Sequence, residues 1–376
     1  MTRQIRTVAL SVTFTLALAA TVGLGSCHDR NAAVPVKEPR APEPVASRAP
    51  EPNASVPSAV EPAPPEPCKV GAWCRLPTPL PEPKEFEDYF TSVWCSARDD
   101  IWIGGSGRAF HYDGARFREA RMPFEVDVKA LWGTGPSSVY AATNSRSRTS
   151  RQGHVLHFDG KSWEKMDLPA VADAESFTFA DIWGSSDQNV YVAGDLLFRF
   201  DGKRWISVSL PEFTRMGEAV LGGSGPRDVY ILFGYSLAHF GGVRWKHLKT
   251  SPLTDLFSSV NLTDIWSGGK NDVLLVGYHD VENEEPPQHY LHFDGRKWNE
   301  HETGHVDRFN AVAGRDKDHL YAVGRRIYRY SKPGWVIDTH PGAPEEDRLM
   351  GYRDITACGD CVVVLGGQNQ VLQLCE

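Results

Sequence analysis

Residues 181–211 read DIWGSSDQNVYVAGDLLFRFDGKRWISVSLP, and the rest of the chain is built around repeats of this stretch. Phe179 to Trp183 is a short apolar run, followed by a turn rich in Gly, Ser, Asp and Asn. Val190-Tyr191-Val192-Ala193 has the β-branched and aromatic character of a strand, and Gly194 ends it. Leu196 to Phe200 forms a third run. Asp201-Gly202 is a hairpin signal, and Trp205 opens a fourth strand ending at Leu210-Pro211. Four short strands joined by tight turns make one antiparallel meander. Its two apolar faces cannot both be buried within the unit.

Sliding this unit along the chain reveals its copies. The fourth-strand aromatics are Phe117, Trp163, Trp205, Trp245, Trp298 and Trp335, and the aromatics before the preceding turn are Tyr112, Phe158, Phe200, Phe240, Phe293 and Tyr330. First strands end at Trp94, Trp132, Trp183, Gly222, Trp266, Ala313 and Thr356. The second strands, eight residues on, are centred on Trp102, Tyr140, Tyr191, Tyr230, Leu274, Tyr321 and Val364. There are seven starts but six complete units, because the last has only three strands. The missing fourth strand is found before the first unit, where residues 71–77 (GAWCRLP) match residues 203–211 with Trp73 in the Trp205 column. The prediction is an all-β, seven-bladed β-propeller of four-stranded antiparallel blades over residues 68–376, its last blade completed by the N-terminal strand. Such closure removes the open edge of a linear array. Each buried aromatic contributes on the order of 1.5–3 kcal/mol.

Composition agrees with a large core plus a tail: 41% of residues are hydrophobic and 11% aromatic. The net charge of −8, with both signs scattered, argues against a nucleic-acid binder, which presents a basic face. Residues 1–27 read as a targeting segment, with Arg3 and Arg6 before an uncharged apolar run over 8–22, too short to span a bilayer as a helix. Residues 28–67, crowded with Pro, Ala, Glu and Val, cannot build a core and read as an extended spacer reaching up to ~120 Å at ~3.1 Å per residue.

Leu24-Gly25-Ser26-Cys27 resembles the lipobox of bacterial lipoproteins. That resemblance implies cleavage before Cys27, a diacylglycerol on its thiol and an acyl chain on its amine. It implies a membrane anchored through this lipid and, because His28 rather than Asp follows the cysteine, an outer-membrane address. The pattern Asp-Ile-Trp-Gly-Ser, Asn-Val-Tyr-Val-Ala-Gly, Phe-Asp-Gly-Lys-Arg-Trp resembles the repeats of β-propeller lipoproteins of myxobacteria and related deltaproteobacteria. Residues 101–114 are also similar to propeller repeats of two-component sensor periplasmic domains. The Asp-Gly turn resembles the Asp-box of sialidases but lacks its Ser or Thr two residues before Asp.

After Cys27 the cysteines form an even set, Cys68, Cys74, Cys95, Cys358, Cys361 and Cys375, which suits an oxidising compartment. Cys358 and Cys361 flank a turn and are expected to bond to each other. Cys375 is expected to bond to Cys68 or Cys74 and so staple the ring. Two insertions between second and third strands are candidate binding loops. Residues 144–153 carry Arg146, Arg148 and Arg151, and residues 280–288 carry Glu282, Glu284 and Glu285. Asp181, Asp264 and Asp354 share one repeat position near the central channel and are candidate ligand-binding groups at its rim.

His301-Glu302-Thr303-Gly304-His305 matches the zinc-protease H-E-x-x-H pattern, but the repeat puts it on a strand, where its two histidines cannot share a helical face. His111, His157, His239 and His292, with Arg199, Arg329 and Gln373, recur at one repeat position and read as structural polar groups. No nucleophile elbow or phosphate-binding loop occurs, so neither cofactor nor metal is expected. The leading expectation is a lipid-anchored envelope module binding a protein or polysaccharide. The alternative is a propeller enzyme acting on a glycan or lactone through carboxylates near the channel.

Overall fold

The computed structural model describes residues 68–78, 89–147, 152–172, 176–210, 218–233, 236–248, 260–279, 288–332, 334–341 and 351–376. The targeting segment, Cys27, the spacer, Arg148, Arg151, Glu282, Glu284 and Glu285 lie outside these residues. The described chain forms seven four-stranded antiparallel sheets. In chain order they span residues 90–120, 126–166, 179–207, 219–248, 260–302, 311–337 and 352–375, called blades 1 to 7. The seventh sheet takes Cys74–Leu76 as its outer strand, paired with Val371–Cys375. The ring is therefore closed by the N-terminal strand, as the Trp73 match predicts.

The core is radial. Seven apolar clusters each join two neighbouring blades, from Trp102, Leu131 and Trp163 between blades 1 and 2 round to Phe110, Val363 and Val371 between blades 7 and 1. The Trp-Gly pair of the motif has a mechanical origin here. A Cβ on Gly133, Gly184 or Gly223 would lie 2.8, 2.6 or 2.9 Å from the ring of Trp94, Trp132 or Trp183. The first-strand Trp of one blade thus packs on the following blade's glycine, and the bare backbone is what admits the indole. The Asp-Gly turns are four-residue loops, as in Asp201 to Arg204 between Phe200 and Trp205. Asp201 Oδ1 accepts the amides of Lys203 and Arg204 at 2.9 Å, and Gly202 takes φ +89°.

Trp73 fills the outer-strand aromatic site of blade 7. It is 5% exposed, its amide donates to Pro341 O at 2.7 Å, and its indole N–H donates to Asp338 of blade 6. One offset departs from expectation. Six first strands pair with the second eight residues on, but Thr356 pairs with Val363, not Val364. The other six first strands each carry a bulge before the turn, as between Gly184 and Ser186; blade 7 lacks it, so Cys358 and Cys361 stand directly opposed.

The disulfide expectations are corrected. Cys358 bonds Cys95, not Cys361; Cys375 bonds Cys361, not Cys68 or Cys74; and those two bond each other. Register leaves Cys361 opposite both Cys358 and Cys375, and the approach of Cys95 to Cys358 decides between them. Cys361 and Cys375 are opposed across neighbouring strands, whereas Cys74 sits opposite Gln373. Cys358 faces blade 1, where the Cys95 Cα lies 5.7 Å from its own. The closure is stapled after all, between blades 7 and 1 and across 263 residues of sequence.

Candidate functional site: the central channel

The first strand of every blade is an edge strand lining the central channel, so its outward N–H groups have no ladder partner. In blades 1, 2, 3, 5 and 7 a bulge early in this strand swings the following side chain toward the next blade; those residues are Ser92, Ala130, Asp181, Asp264 and Asp354. Asp181 Oδ1 accepts the amide of Ile182 at 2.8 Å, and its Oδ2 accepts that of Leu221, in blade 4, at 2.7 Å. Asp264 does the same for Ile265 and for Val312 of blade 6, at 2.8 and 2.7 Å. Asp354 takes the amides of Ile355 and of Val93 in blade 1, both at 2.8 Å. Ser92 Oγ accepts the remaining one, Leu131 of blade 2, at 3.1 Å.

The count closes. Three carboxylates with two oxygens each cap six channel amides, and one hydroxyl caps the seventh. This explains the alternation down the repeat column Ser92, Ala130, Asp181, Val220, Asp264, Ala311, Asp354. A carboxylate serves its own blade and the next, so every second blade needs none. An odd ring leaves one amide over.

The carboxylates share a chamber of about 630 Å³ lined by first-strand residues of all seven blades. Burial pushes Asp181 up to about 7 and Asp354 up to about 6, and lifts Asp264 well above the ordinary carboxylate range. The amide donors pull each one down without reversing the rise. The charge of Asp354 adds to the rise at Asp181, and both charges add to it at Asp264, so the three sense one another across the channel. Thr91, Lys129, Glu218, Asn261, Thr263, Tyr278, Asn310 and Arg353 also line this chamber. Thr91 and Thr263 hydroxyls donate to Val128 O and Phe309 O of the next blades at 2.6 and 2.7 Å. Arg353 lies over the Tyr89 ring at 4.1 Å and Arg308 over Tyr278 at 4.4 Å.

Of the loop candidates, Arg146 is described, an exposed side chain 3.4 Å from Asp127 Oδ1. The lining residues Lys129, Asn261, Asn310 and Arg353 were not singled out from sequence. Lys129, Asn310 and Arg353 stand one residue before the Ala130, Ala311 and Asp354 column, a position whose residue type varies from blade to blade. His301 is on the strand Trp298–Glu302, stacked on Tyr290 at 5.0 Å, and His305 Nε2 lies 3.1 Å from Trp335 O. The two histidines of the H-E-x-x-H match therefore serve different contacts.

The recurrent histidines join second and third strands. His111, His239 and His292 meet Asp100, Asp228 and Asp272 at 2.5, 2.8 and 2.7 Å, and His157 meets Ser138 Oγ at 3.0 Å. Arg199 and Gln373 reach Asn189 Oδ1 and Arg98 O, each at 2.8 Å. His111 also stacks on Trp102 and His239 on Tyr230, with centroids 4.5 and 4.3 Å apart.

No family model and no curated protein matches this sequence. Among solved structures the chain is similar to a virginiamycin B lyase from Staphylococcus aureus, a catalytically inactive form with quinupristin. That likeness has a TM-score of 0.60 at 11% identity over 81% of this chain and 99% of the other. It is similar to YCF48 bound to a D1 peptide, with a TM-score of 0.56 at 13% identity over 81% and 94% of the two chains. It also resembles the extracellular domain of a one-component system from B. thetaiotaomicron, with a TM-score of 0.56 at 12% identity. There it covers 78% of this chain but only 39% of that longer one. At these identities the likeness is one of fold: this chain is a seven-bladed β-propeller.

Proposed function

We propose that this protein is a lipid-anchored envelope module that binds a protein or polysaccharide at the channel mouth and the adjoining loop face. One observation carries the reading. Both oxygens of each channel carboxylate are engaged by wall amides, so the acids hold blades together while the mouth offers hydrogen-bonding and cationic side chains. That is the equipment of recognition rather than of proton transfer. The neighbours are consistent with a binding use of the fold, in the one solved with a peptide, and with an enzymatic use, in the lyase solved with quinupristin. Anchoring follows from the Cys27 motif, and the spacer over 28–67 would hold the propeller clear of the membrane.

The test is affinity capture of the mature protein from its native envelope followed by mass spectrometry, with Lys129→Glu and Arg353→Glu in parallel. A partner retained by the wild type and lost by the mouth variants supports the reading; one retained equally by all three refutes the site. Cys27→Ser is expected to release the protein from the membrane fraction. The raised carboxyls of Asp181, Asp264 and Asp354 favour a second reading, an enzyme acting on a glycan or lactone. It requires turnover that falls in Asp354→Asn while the fold is retained.

A further inference from the structure

A groove of about 420 Å³ lies between blades 3 and 4 and shares no lining residue with the channel. Its wall includes the row Tyr191, Arg199 and Ile206 of blade 3, neighbours across three strands, and Val208 and Leu210 beyond them. Facing them are Phe240, Val243, Arg244 and Trp245 of blade 4, with Trp245 edge-on to Tyr191 at 5.9 Å. Two of these apolar side chains are open to solvent: Ile206 is 38% exposed and Val243 90%.

Both break the repeat. At the Ile206 position blades 1, 2, 4 and 5 carry Arg118, Glu164, Lys246 and Asn299, while blade 6 carries a second exposed aliphatic, Val336. At the Val243 position, the third residue of the turn, blades 1, 2, 3 and 5 carry Ala115, Lys161, Lys203 and Arg296. Gly241-Gly242-Val243-Arg244 replaces the Asp-Gly turn, so the turn carboxylate present in those blades is absent beside the groove. The charged side chains lining the groove are arginines. Arg199 and Arg244 line the groove, and Arg227 packs against Gly242. The acids nearest in sequence, Asp201 held by turn amides and Asp228 by His239 and Ser224, keep their negative charge but do not line the groove. The outer strand of blade 3, Trp205–Ser207, pairs on one side only among the described residues, which leaves backbone donors and acceptors beside the groove.

We propose that this groove docks an extended, acidic segment of a partner protein carrying an aliphatic side chain. The aliphatic group sits between Ile206 and Val243, carboxylates meet Arg199, Arg227 and Arg244, and the segment's backbone pairs along the free edge of Trp205–Ser207. The edge is what selects a peptide over an acyl chain of similar charge and polarity. This surface is separate from the channel mouth and stands whether or not the mouth binds.

The test uses the intact protein and a fluorescein-labelled hexapeptide, Glu-Ser-Val-Ser-Glu-Ser, which places Val and both Glu side chains on one face of an extended strand, read by anisotropy. Saturable binding is expected, with at least a tenfold loss when Lys replaces Glu and a comparable loss in Val243→Glu, Ile206→Glu and Arg244→Glu. Each substituted side chain points outward, and circular dichroism checks the fold. Val336→Glu, at the Ile206 position of blade 6, is expected to bind like the wild type. The proposal is overturned by no saturable binding, by equal affinity for the Lys peptide, or by groove variants that bind normally. Displacement of the peptide by octanoate as efficient as by unlabelled peptide also overturns it, and assigns the groove to acyl carboxylates.

Discussion

Replacing Asp181 by Ala removes the acceptors of two channel amides, Ile182 N–H and Leu221 N–H, in two different blades. An unsatisfied buried donor costs about 1–3 kcal/mol. Water entering the channel recovers part of that, so the expected loss is about 2–4 kcal/mol in urea unfolding at pH 4 with an unchanged m-value. Asp181→Asn keeps one acceptor oxygen and should lose about half as much. Val220→Ala, in the same repeat column but capping nothing, should lose about 1 kcal/mol from packing alone. The pH dependence has a definite sign. Asp181 rises from 3.8 to about 7 on folding, chiefly through burial. Its contribution is therefore fully present below pH 4 and is lost as pH rises through 7; that of Asp354 is lost as pH rises through about 6. At about 1.4 kcal/mol per pH unit, the share of Asp181 is at most about 4 kcal/mol. Stability referred to Asp181→Asn should thus be greatest near pH 4 and shrink toward pH 8. An Asp181→Ala variant within 0.5 kcal/mol of wild type at pH 4 would refute the amide ring. A penalty that grows with pH would show that the amide donors, not burial, govern the carboxylate.

Chain entropy ranks the disulfides by the sequence they enclose. Serine pairs replacing Cys95–Cys358, Cys361–Cys375 and Cys68–Cys74, with separations of 263, 14 and 6 residues, should cost about 5, 3 and 2 kcal/mol by thermal unfolding. Trp73→Phe keeps the aromatic packing but strips Asp338, itself 5% exposed, of its indole donor. The expected loss is about 2 kcal/mol, while Trp73→Ala should lose more and expose the edge of Val371–Cys375, visible as concentration-dependent association. Gly184→Ala places a methyl 2.6 Å from the Trp132 ring and should cost about 1–3 kcal/mol, whereas Gly135→Ala, which meets nothing within 4 Å, should be tolerated.

The ring was legible because its signals are local and repeated: a Trp, an eight-residue offset and an Asp-Gly turn recur wherever a blade must present the same faces. Trp73 could be placed on blade 7 from sequence because a fourth-strand pattern with no preceding third strand has nowhere else to pair. What could not be read depends on neighbours in space. The cysteine pairing turns on whether Cys358 faces Cys361 or blade 1, and a bulge that blade 7 lacks decides the register there. The Asp column lines the channel, and its hydrogen bonds run to the next blade, about 40 residues away, where no local pattern points. The alternation of that column was in the sequence; its meaning needed the unpaired amides.

The two proposed binding surfaces follow from one feature of the architecture. A propeller blade is repeated because its strands must stack, so residues that obey the repeat serve the stack, and departures from it are free to serve something else. The histidine–carboxylate pairs and the channel acids obey a column rule, and each is consumed by a contact between strands or blades. Lys129, Glu218 and Arg353 at the mouth follow no column rule, and neither do Ile206 and Val243 in the outer groove. Chemistry that recurs around the ring therefore reports on the fold, and recognition is to be sought where one blade differs from the rest. On that criterion blades 3 and 4, with their altered turn, exposed aliphatics and three arginines, are the part of the ring least explained by closure.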